Sequence, residues 1–242
     1  MNLIIDVGNS LVKLAVFKGN KLISKEISEK KDFVKTWRRV HTEYPNLSRC
    51  IISSVGSFSE DELQLLRDSL PVMVLSHELQ LPFINKYATP TTLGVDRIAL
   101  VSAAAHKYPG KHVLIIDAGS CITYDFLSAE NEYLGGAISP GLEMRYKAMH
   151  HFTANLPLLA AEVPENTIGN STNNSMHIGV FQGVTLEMDG FINRYAQNFS
   201  PLTVILTGGA AHFLRDSIKN DIFANSNFLL EGLNHILEIN KD

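Results

Sequence analysis

The stretch of sequence that decides the fold runs from Leu3 to Phe17 and reads Leu-Ile-Ile-Asp-Val-Gly-Asn-Ser-Leu-Val-Lys-Leu-Ala-Val-Phe. Its first part is an apolar run that ends in Asp6, and small residues follow at Gly8, Asn9 and Ser10. From Leu11 onward apolar residues alternate with others, which is the period of a half-buried strand. The stretch therefore predicts a strand, a tight turn and a second strand.

The same pattern recurs in the second half of the chain. Another apolar run ends in Asp117, small residues follow at Gly119 and Ser120, and apolar residues resume over 121–126. Each copy predicts a sheet of three antiparallel strands. Parallel strands extend this sheet, and helices pack on its faces. We therefore expect a duplicated α/β chain with one domain over residues 1–110 and another over 111–242, and the terminal helix could pack back on the first domain.

Further elements follow from periodicity and capping signals. Ser59 and Glu62 have the spacing of a capping box that opens a helix. A polar loop is expected over 165–174, and a long helix is expected over 175–198 because apolar residues recur there at helical spacing. Three glycines inside that helix indicate a close backbone approach, either within the chain or between subunits. A short strand near 228–230 and a helix over 233–239 complete the chain.

Composition limits the class of protein. The chain has 242 residues, of which 45% are hydrophobic and 19% are charged, and its net charge is −4. This is the balance of a globular protein without the positive field that attracts nucleic acid or anionic lipid. Its apolar runs fall short of the roughly 20 residues that span a bilayer, and no leader sequence is recognisable. Cys50 and Cys121 form no close pair. We expect a cytoplasmic protein with a small-molecule partner and neither nucleic acid nor membrane as partner.

The two aspartates are the first candidates for chemistry. A single aspartate at the end of a strand is commonly explained by turn formation alone. Two copies favour function, because backbone N–H groups of a small-residue turn can bind phosphate while a carboxylate holds hydrated magnesium. The two turns would then face each other across an interdomain cleft. Lys13 could point to the same phosphates or could be an exposed strand lysine.

A second candidate site precedes an apolar helix over 98–105. The sequence Gly94-Val95-Asp96-Arg97 could place an acid favourably on the helix dipole and leave the arginine on the surface. Alternatively, Asp96 could act as a base for a hydroxyl group while Arg97 binds a substrate carboxylate through two hydrogen bonds. Spacing alone does not decide between these interpretations.

Two glycine-rich segments follow predicted strands. Residues 135–141 read Gly-Gly-Ala-Ile-Ser-Pro-Gly, and residues 207–209 read Thr-Gly-Gly. Turn and packing requirements explain such segments in many proteins. After a strand, however, bare backbone also suits the close approach of a ligand, and adenosine could lie against Thr207, Gly208 and Gly209.

Together these motifs resemble the type III pantothenate kinases, within the superfamily of acetate kinase, sugar kinases, heat-shock chaperones and actin. The resemblance covers almost the whole chain. The matching residues are Asp6-Val7-Gly8-Asn9-Ser10 with Lys13, Tyr87, Gly94-Val95-Asp96-Arg97, Asp117-Ala118-Gly119-Ser120 through Thr123 and Asp125, and the segment 135–141. Ser120-Cys121 stands where the family usually has Thr-Ala, and this change keeps the hydroxyl group.

The resemblance implies a fold and an activity. It implies duplicated actin-like, ribonuclease H-like domains with ATP in the cleft, and phosphorylation of pantothenate to 4'-phosphopantothenate, the first step of coenzyme A biosynthesis. It also implies residue roles: Asp96 as base; Asp6 and Asp117 organising magnesium; Gly8, Asn9, Ser10, Lys13, Gly119, Ser120 and Thr207 to Gly209 around the nucleotide; Tyr87, Gly94, Arg97 and Thr172 at pantothenate. Asp125 resembles the family's ligand for potassium or ammonium, and the acceptor site is completed in a homodimer.

Two other functions remain open at this stage. One is a different kinase or a phosphate-ester hydrolase of the same superfamily. The other is a nucleotide-binding accessory protein of transcription that has kept the fold without turnover. The presence of Asp6, Asp96 and Asp117 and the negative net charge argue against the accessory protein, whereas the other enzymes of the superfamily stay open.

Overall fold

The computed structural model describes residues 1–8, 11–54 and 58–241. The strands are β1 (Asn2–Val7), β2 (Leu11–Lys18), β3 (Lys21–Glu29), β4 (Arg49–Ser54), β5 (Val72–Val74), β6 (Ile84–Asn85), β7 (His112–Ala118), β8 (Cys121–Leu127), β9 (Glu132–Pro140), β10 (Leu202–Thr207) and β11 (Phe223–Ala224). The α-helices are α1 (Phe33–Glu43), α2 (Glu60–Arg67), α3 (Val95–Lys107), α4 (Leu142–Phe152), α5 (Thr172–Asn198), α6 (Ala211–Leu214) and α7 (Phe228–Ile239). Contacts divide the chain into two compact units: unit 1 contains residues 1–109, 131–133 and 227–242, and unit 2 contains residues 110–130 and 134–226.

Unit 1 is built on a mixed sheet in the order β3-β2-β1-β4-β5. Strand β1 pairs antiparallel with β2 and parallel with β4, so it lies at the centre of the sheet. Every residue of β1 is buried, which explains why its apolar residues 3–5 are consecutive rather than alternating with polar ones. Because both faces of the strand are covered, Asp6, the residue before the last in β1, is buried as well.

Helices cover both faces of this sheet. Phe33, Trp37 and Val40 of α1 pack with β1 side chains such as Leu3 and Ile5. Helix α7 covers the opposite face, where the Asn2 side chain donates hydrogen bonds to Asn234 at 2.9 Å and to Glu238 at 2.6 Å. Helix α7 also packs on α3, and the two helices together form a layer against this face of the sheet.

Unit 2 repeats this arrangement with strands in the order β11-β10-β7-β8-β9. Strand β7 pairs antiparallel with β8 and parallel with β10, as β1 does with β2 and β4. Its core packs apolar residues of β7 and β8 against α4 and α5, with Leu114, Tyr124, Tyr146, Val184 and Met188 fully or almost fully buried. The predicted duplication of mixed sheets with flanking helices is confirmed.

The turn between the first two strands differs between the copies. Gly8 to Ser10 separate β1 from β2, whereas only Gly119 and Ser120 separate β7 from β8. As a result, Asp6 is in register with Lys13, while Asp117 is in register with Thr123. The second copy therefore has one residue fewer between its paired strands, in agreement with its two small residues in place of three.

Several local predictions can now be checked. The capping box is present, because Ser59 Oγ accepts a hydrogen bond from the Glu62 backbone and the Glu62 carboxylate accepts one from Ser59. The loop prediction is wrong at its end, since α5 already begins at Thr172, where the Ser171 side chain accepts a hydrogen bond from Asn174 N. The predicted strand near Phe228 is also wrong: these residues form the first turn of α7, and the short strand is β11.

The glycines of α5 lack the close neighbours expected within the chain. A Cβ atom added at Gly179 or Gly190 would meet no heavy atom of the described residues within 4 Å, and one at Gly183 would meet only Arg145 at 3.9 Å. Close packing at these positions is therefore not an intramolecular requirement of the described residues.

In the described part of the chain, no helix is both long and apolar enough to cross a membrane.

Candidate active site

Asp6 forms an ion pair at the end of β1. Lys13 Nζ donates a hydrogen bond to the Asp6 carboxylate at 3.0 Å, and the Asp6 side chain is only 9% exposed. The register of β2 places Lys13 directly opposite Asp6, and the Lys13 side chain is 36% exposed. The backbone N–H of Gly8 donates to Leu11 O at 3.0 Å and closes the start of the turn. The predicted ligands Asn9 and Ser10 lie outside the described residues.

Ser53 is a neighbour of Asp6 that the sequence did not identify. It is the residue of β4 in register with Asp6, and it is fully buried. Its Oγ has no hydrogen-bond partner in the described ranges 1–8, 11–54 and 58–241. A buried hydroxyl group beside a carboxylate can donate a hydrogen bond to a group that binds there. A single serine in a strand carries no signal that could have predicted this role.

Asp96 lies in the first turn of α3, which begins earlier than predicted, at Val95. Its Oδ1 accepts a hydrogen bond from the backbone N–H of Arg97 at 2.8 Å. A Cβ atom added at Gly94 would collide with this same oxygen, so the glycine leaves the space that the carboxylate occupies. The absence of a side chain at Gly94 therefore allows the conformation that Asp96 adopts.

The pKa of Asp96 is raised above the ordinary value of an aspartate. Burial is the main cause, and the negative charge of Asp6 contributes in the same direction. The backbone N–H and the positive charge of Arg97 partly offset the increase. A half-buried carboxylate with a raised pKa, close to a second carboxylate, is the kind of group that serves as a general base.

This raised pKa predicts a dependence of stability on pH. Because the folded state holds the Asp96 proton more tightly than the unfolded state, ionisation of Asp96 costs stability as pH rises through the folded pKa. Asp96→Asn should therefore unfold at a higher urea concentration than the wild type at pH 8, and this difference should shrink as pH falls toward 4. Urea titrations at both pH values check this, with exposed Asp221→Asn as the control. A variant less stable than the wild type at pH 8 would contradict the prediction.

Arg97 is buried beside aromatic rings. Arg97 is only 5% exposed, and its guanidinium carbon lies 5.5 Å from the centre of the Tyr87 ring. A second ring, that of Tyr133, lies 6.0 Å from the same carbon. The structure thus brings Tyr87 and Arg97 together, and it adds Tyr133, which the sequence analysis did not select.

In unit 2, the turn after Asp117 lies between two glycine segments. Thr207 is in register with Asp117, and the N–H of Ala210 donates to Ala118 O at 2.9 Å. Gly208 has a φ of +95°, and an added Cβ atom would lie 2.5 Å from Ala118 O and would collide with Asp117 Oδ1. Only a glycine fits this close approach. The segment 207–209 is therefore built against the Asp117 turn.

The other side of this turn meets the end of the 135–141 segment. Gly141 N donates to Ser120 O at 3.2 Å, and an added Cβ atom would lie 2.5 Å from that oxygen. Arg145 of α4 fastens the segment, because it donates to Pro140 O at 2.9 Å and to the Ser139 hydroxyl at 2.9 Å. The segment is therefore held in place next to the turn.

Glu187 of α5 completes this support. Its carboxylate accepts hydrogen bonds from Arg145 at 2.6 Å and from the Tyr124 hydroxyl at 2.9 Å. Burial raises the pKa of Glu187, but the hydrogen bonds from Arg145, Ser139 and Tyr124 outweigh burial and lower it below the usual value. Glu187 thus stays ionised and anchors Arg145. Arg145 and Glu187 belong to none of the sequence motifs, so this support was not predictable.

The remaining predicted residues lie elsewhere in unit 2. Asp125 is fully buried on β8, and its carboxylate accepts a hydrogen bond from Thr123 Oγ1 at 3.1 Å. Thr172, in the first turn of α5, lines an open cavity of about 710 Å³ between α4, the following loop and α5. The cavity also exposes Met149, Leu156 and Gly179. Thr172 is therefore accessible from solvent.

Magnesium needs few protein ligands at such a site. Among the described residues, His, Cys, Asp and Glu side chains form no group of three or more that could hold a metal ion. Mg²⁺ in kinases is commonly bound through one or two carboxylates together with phosphates and water. Single carboxylates such as Asp6 and Asp117 fit this mode, whereas a metal centre made only of protein ligands does not.

The duplicated sheets, each with a carboxylate near the end of a central strand beside a small-residue turn, define the class of proteins with duplicated actin-like domains. A ROK family glucokinase from Streptomyces griseus, in complex with glucose and AMPPNP, is similar with a TM-score of 0.51 and 11% identity over 99% of both chains. A conserved protein from Campylobacter jejuni, described as a Baf family transcriptional activator, is similar with a TM-score of 0.67 and 22% identity over 99% of this chain and 98% of that one. At these identities the likeness shows the fold.

Sequence comparison narrows the class. A sequence model of type III pantothenate kinase matches residues 2–194. A type III pantothenate kinase from Christiangramia forsetii is 52% identical over 241 residues, which cover 100% of this chain and 99% of that protein. The chain belongs to the type III pantothenate kinase family, and the resemblance found in its motifs is confirmed.

Proposed function

We propose that the chain transfers the γ-phosphoryl group of ATP to the primary hydroxyl group of pantothenate, the first step of coenzyme A biosynthesis. Family membership over the full length of the chain supports this proposal most directly. The arrangement of Asp96 beside the charge of Asp6, with Arg97 as its neighbour in sequence, supplies the matching chemistry. No feature of the described residues favours the hydrolase or the transcriptional accessory function over this one.

Asp96 is the proposed base. The acceptor hydroxyl oxygen forms a bond to the γ-phosphorus, the bond from that phosphorus to the β,γ-bridging oxygen breaks, and the hydroxyl proton passes to the Asp96 carboxylate. Phosphoryl transfer depends mainly on positioning and charge stabilisation. The hydrogen bond from Arg97 N and the space left by Gly94 fix the carboxylate orientation that this step requires.

Each copy of the strand-turn-strand motif contributes to nucleotide binding in this proposal. Asp6 and Asp117 would hold Mg²⁺, which supplies neutralisation of phosphate charge when bound. Backbone N–H groups and hydroxyls of the two turns bind phosphate oxygens. The donors concerned belong to Asn9, Ser10 and Ser120, while Gly8 and Gly119, whose N–H groups donate to Leu11 O and Cys121 O, leave room for the phosphates. Lys13 shares its charge between Asp6 and the phosphates, and Thr207 to Gly209 border the adenosine.

The acceptor is bound through its carboxylate. Arg97, which is buried, offers the planar donor group that suits a carboxylate, and Tyr87 lies against it. We assign Gly94 and Thr172 to the same acceptor, with Thr172 supplied by the second subunit of a homodimer. Asp125 is the proposed ligand of a monovalent cation, potassium or ammonium, because a buried carboxylate gains from a positive charge.

An ATP-consumption assay tests the proposed function. Pantothenate should stimulate ATP use far more than glucose, N-acetylmannosamine or glycerate at equal concentration. The same reaction should be faster in potassium chloride than in lithium chloride at equal ionic strength. Equal ATP use with and without pantothenate, or a preference for a sugar, would refute the assignment of the acceptor.

A further inference from the structure

The short segment 131–133 belongs to unit 1 and is joined to the chain that leads to Tyr87. The Asn131 side chain donates to Pro82 O at 2.7 Å, and Ile84 N donates to Asn131 O at 2.9 Å. Lys86 N donates to Tyr133 O at 3.0 Å and continues the parallel pairing of β6 with the start of β9. The backbone next to Tyr87 is therefore fixed relative to the backbone of Tyr133.

This pairing brings aromatic rings into contact. Tyr133 is fully buried, and its ring stacks on that of Tyr87 with 6.0 Å between the centres and 20° between the planes. Phe83 meets the Tyr133 ring edge-on at 5.9 Å. A ring that is packed on one side by its edge neighbour and on another by a stacked ring has little freedom to rotate. Tyr133 is the rigid member of the group.

The guanidinium of Arg97 lies over both stacked rings. Its central carbon is 5.5 Å from the Tyr87 centre and 6.0 Å from the Tyr133 centre, within the range of cation–π attraction. Such attraction is larger for a cation removed from water, and Arg97 is 5% exposed. Because guanidinium groups stack flat on aromatic rings, the rings set the direction in which the Arg97 donors point.

We propose that Tyr133 is a positioning residue for acceptor recognition, which holds the Arg97 guanidinium in the orientation that binds the pantothenate carboxylate. This inference rests on the proposed function, since it assigns Arg97 to the carboxylate. Tyr133 itself touches Arg97, Tyr87 and Phe83 and acts on the acceptor only through Arg97. Its role differs from that of Tyr87, which is half-buried and is proposed to contact the acceptor directly.

The test uses the full-length chain and three variants, Tyr133→Leu, Tyr133→Phe and Arg97→Met. Tyr133→Leu removes the ring and should raise the KM for pantothenate roughly 10-fold, the effect of losing a desolvated cation–π contact. The KM for ATP should change by less than about twofold. Tyr133→Phe keeps the ring, so its KM for pantothenate should stay close to that of the wild type.

A double variant separates positioning from a structural effect. Calorimetric binding of pantothenate should be weakened by Arg97→Met, and adding Tyr133→Leu should weaken it no further, because the ring acts through the arginine. Additive losses, or equal increases in the KM for ATP and for pantothenate, would overturn the inference and leave the proposed function intact. A wild-type chain that neither binds nor phosphorylates pantothenate would overturn both.

Discussion

Replacing Asp96 with asparagine is expected to lower kcat by about 10²- to 10⁴-fold, the usual contribution of a general base. Asparagine keeps the shape and an oxygen that accepts the hydrogen bond from Arg97 N, which the aspartate accepts at 2.8 Å. It cannot take up the acceptor proton at neutral pH. Steady-state assays should therefore show loss of turnover, and calorimetry should show that ATP still binds.

The pH profile provides the second part of this test. Since burial and the charge of Asp6 raise the pKa of Asp96, kcat/KM of the wild type should fall on the acid side at a pH above the usual value of 3.8. The exposed Asp221→Asn should leave both kcat and this acid limb unchanged. A turnover number of Asp96→Asn equal to that of the wild type would exclude Asp96 as the base.

Gly208→Ala is expected to have the second large effect. Gly208 has a φ of +95°, and the added methyl group would lie 2.5 Å from Ala118 O and collide with Asp117 Oδ1. Relief of this collision requires that Asp117 and its turn move. Strain of this kind amounts to about 1–3 kcal/mol. We expect the KM for ATP to rise at least about 10-fold, which corresponds to ~1.4 kcal/mol of lost binding.

The matched control for this variant is Gly190→Ala. Gly190 is exposed on α5, and a methyl group there meets no heavy atom of the described residues within 4 Å. This control should keep the wild-type KM for ATP, and its free energy of unfolding should rise by about 0.4–1 kcal/mol, because alanine favours the helix. If Gly208→Ala keeps the wild-type KM for ATP, the Asp117 turn does not take part in nucleotide binding.

Local periodicity predicts most of the strands and helices. The apolar run that ends in Asp6 and its second copy suffice to predict the duplicated mixed sheets, because hydrophobic pattern and turn residues act over short distances. The predicted strand near Phe228 is wrong because a short apolar run fits a strand or a helix equally well. Its continuation to Ile239 at helical spacing favours the helix. The early start of α5 had a readable signal in Ser171, whose side chain caps the helix.

Tertiary pairing explains what the sequence could not predict. Ser53 and Tyr133 reach their neighbours through strand register and long-range contacts, which no spacing along the chain indicates. The salt bridge of Arg145 with Glu187 likewise joins two helices that are distant in sequence. The family resemblance assigns Tyr87 and Arg97 to the same acceptor, but the contact between them likewise follows only from the tertiary structure.

The packing of α7 on α3 has a consequence for the order in which the protein can fold. Gly232 of α7 lies so close to Ala99 O that an added Cβ atom would collide with this backbone oxygen of the helix that begins near Asp96. A ribosome releases residues 227–242 only after the whole of unit 2 has been synthesised. Until residues 227–242 have been synthesised, α3, which carries the proposed base, lacks the helix that covers one of its sides. Chaperone contact during translation should concentrate on the exposed apolar side of α3.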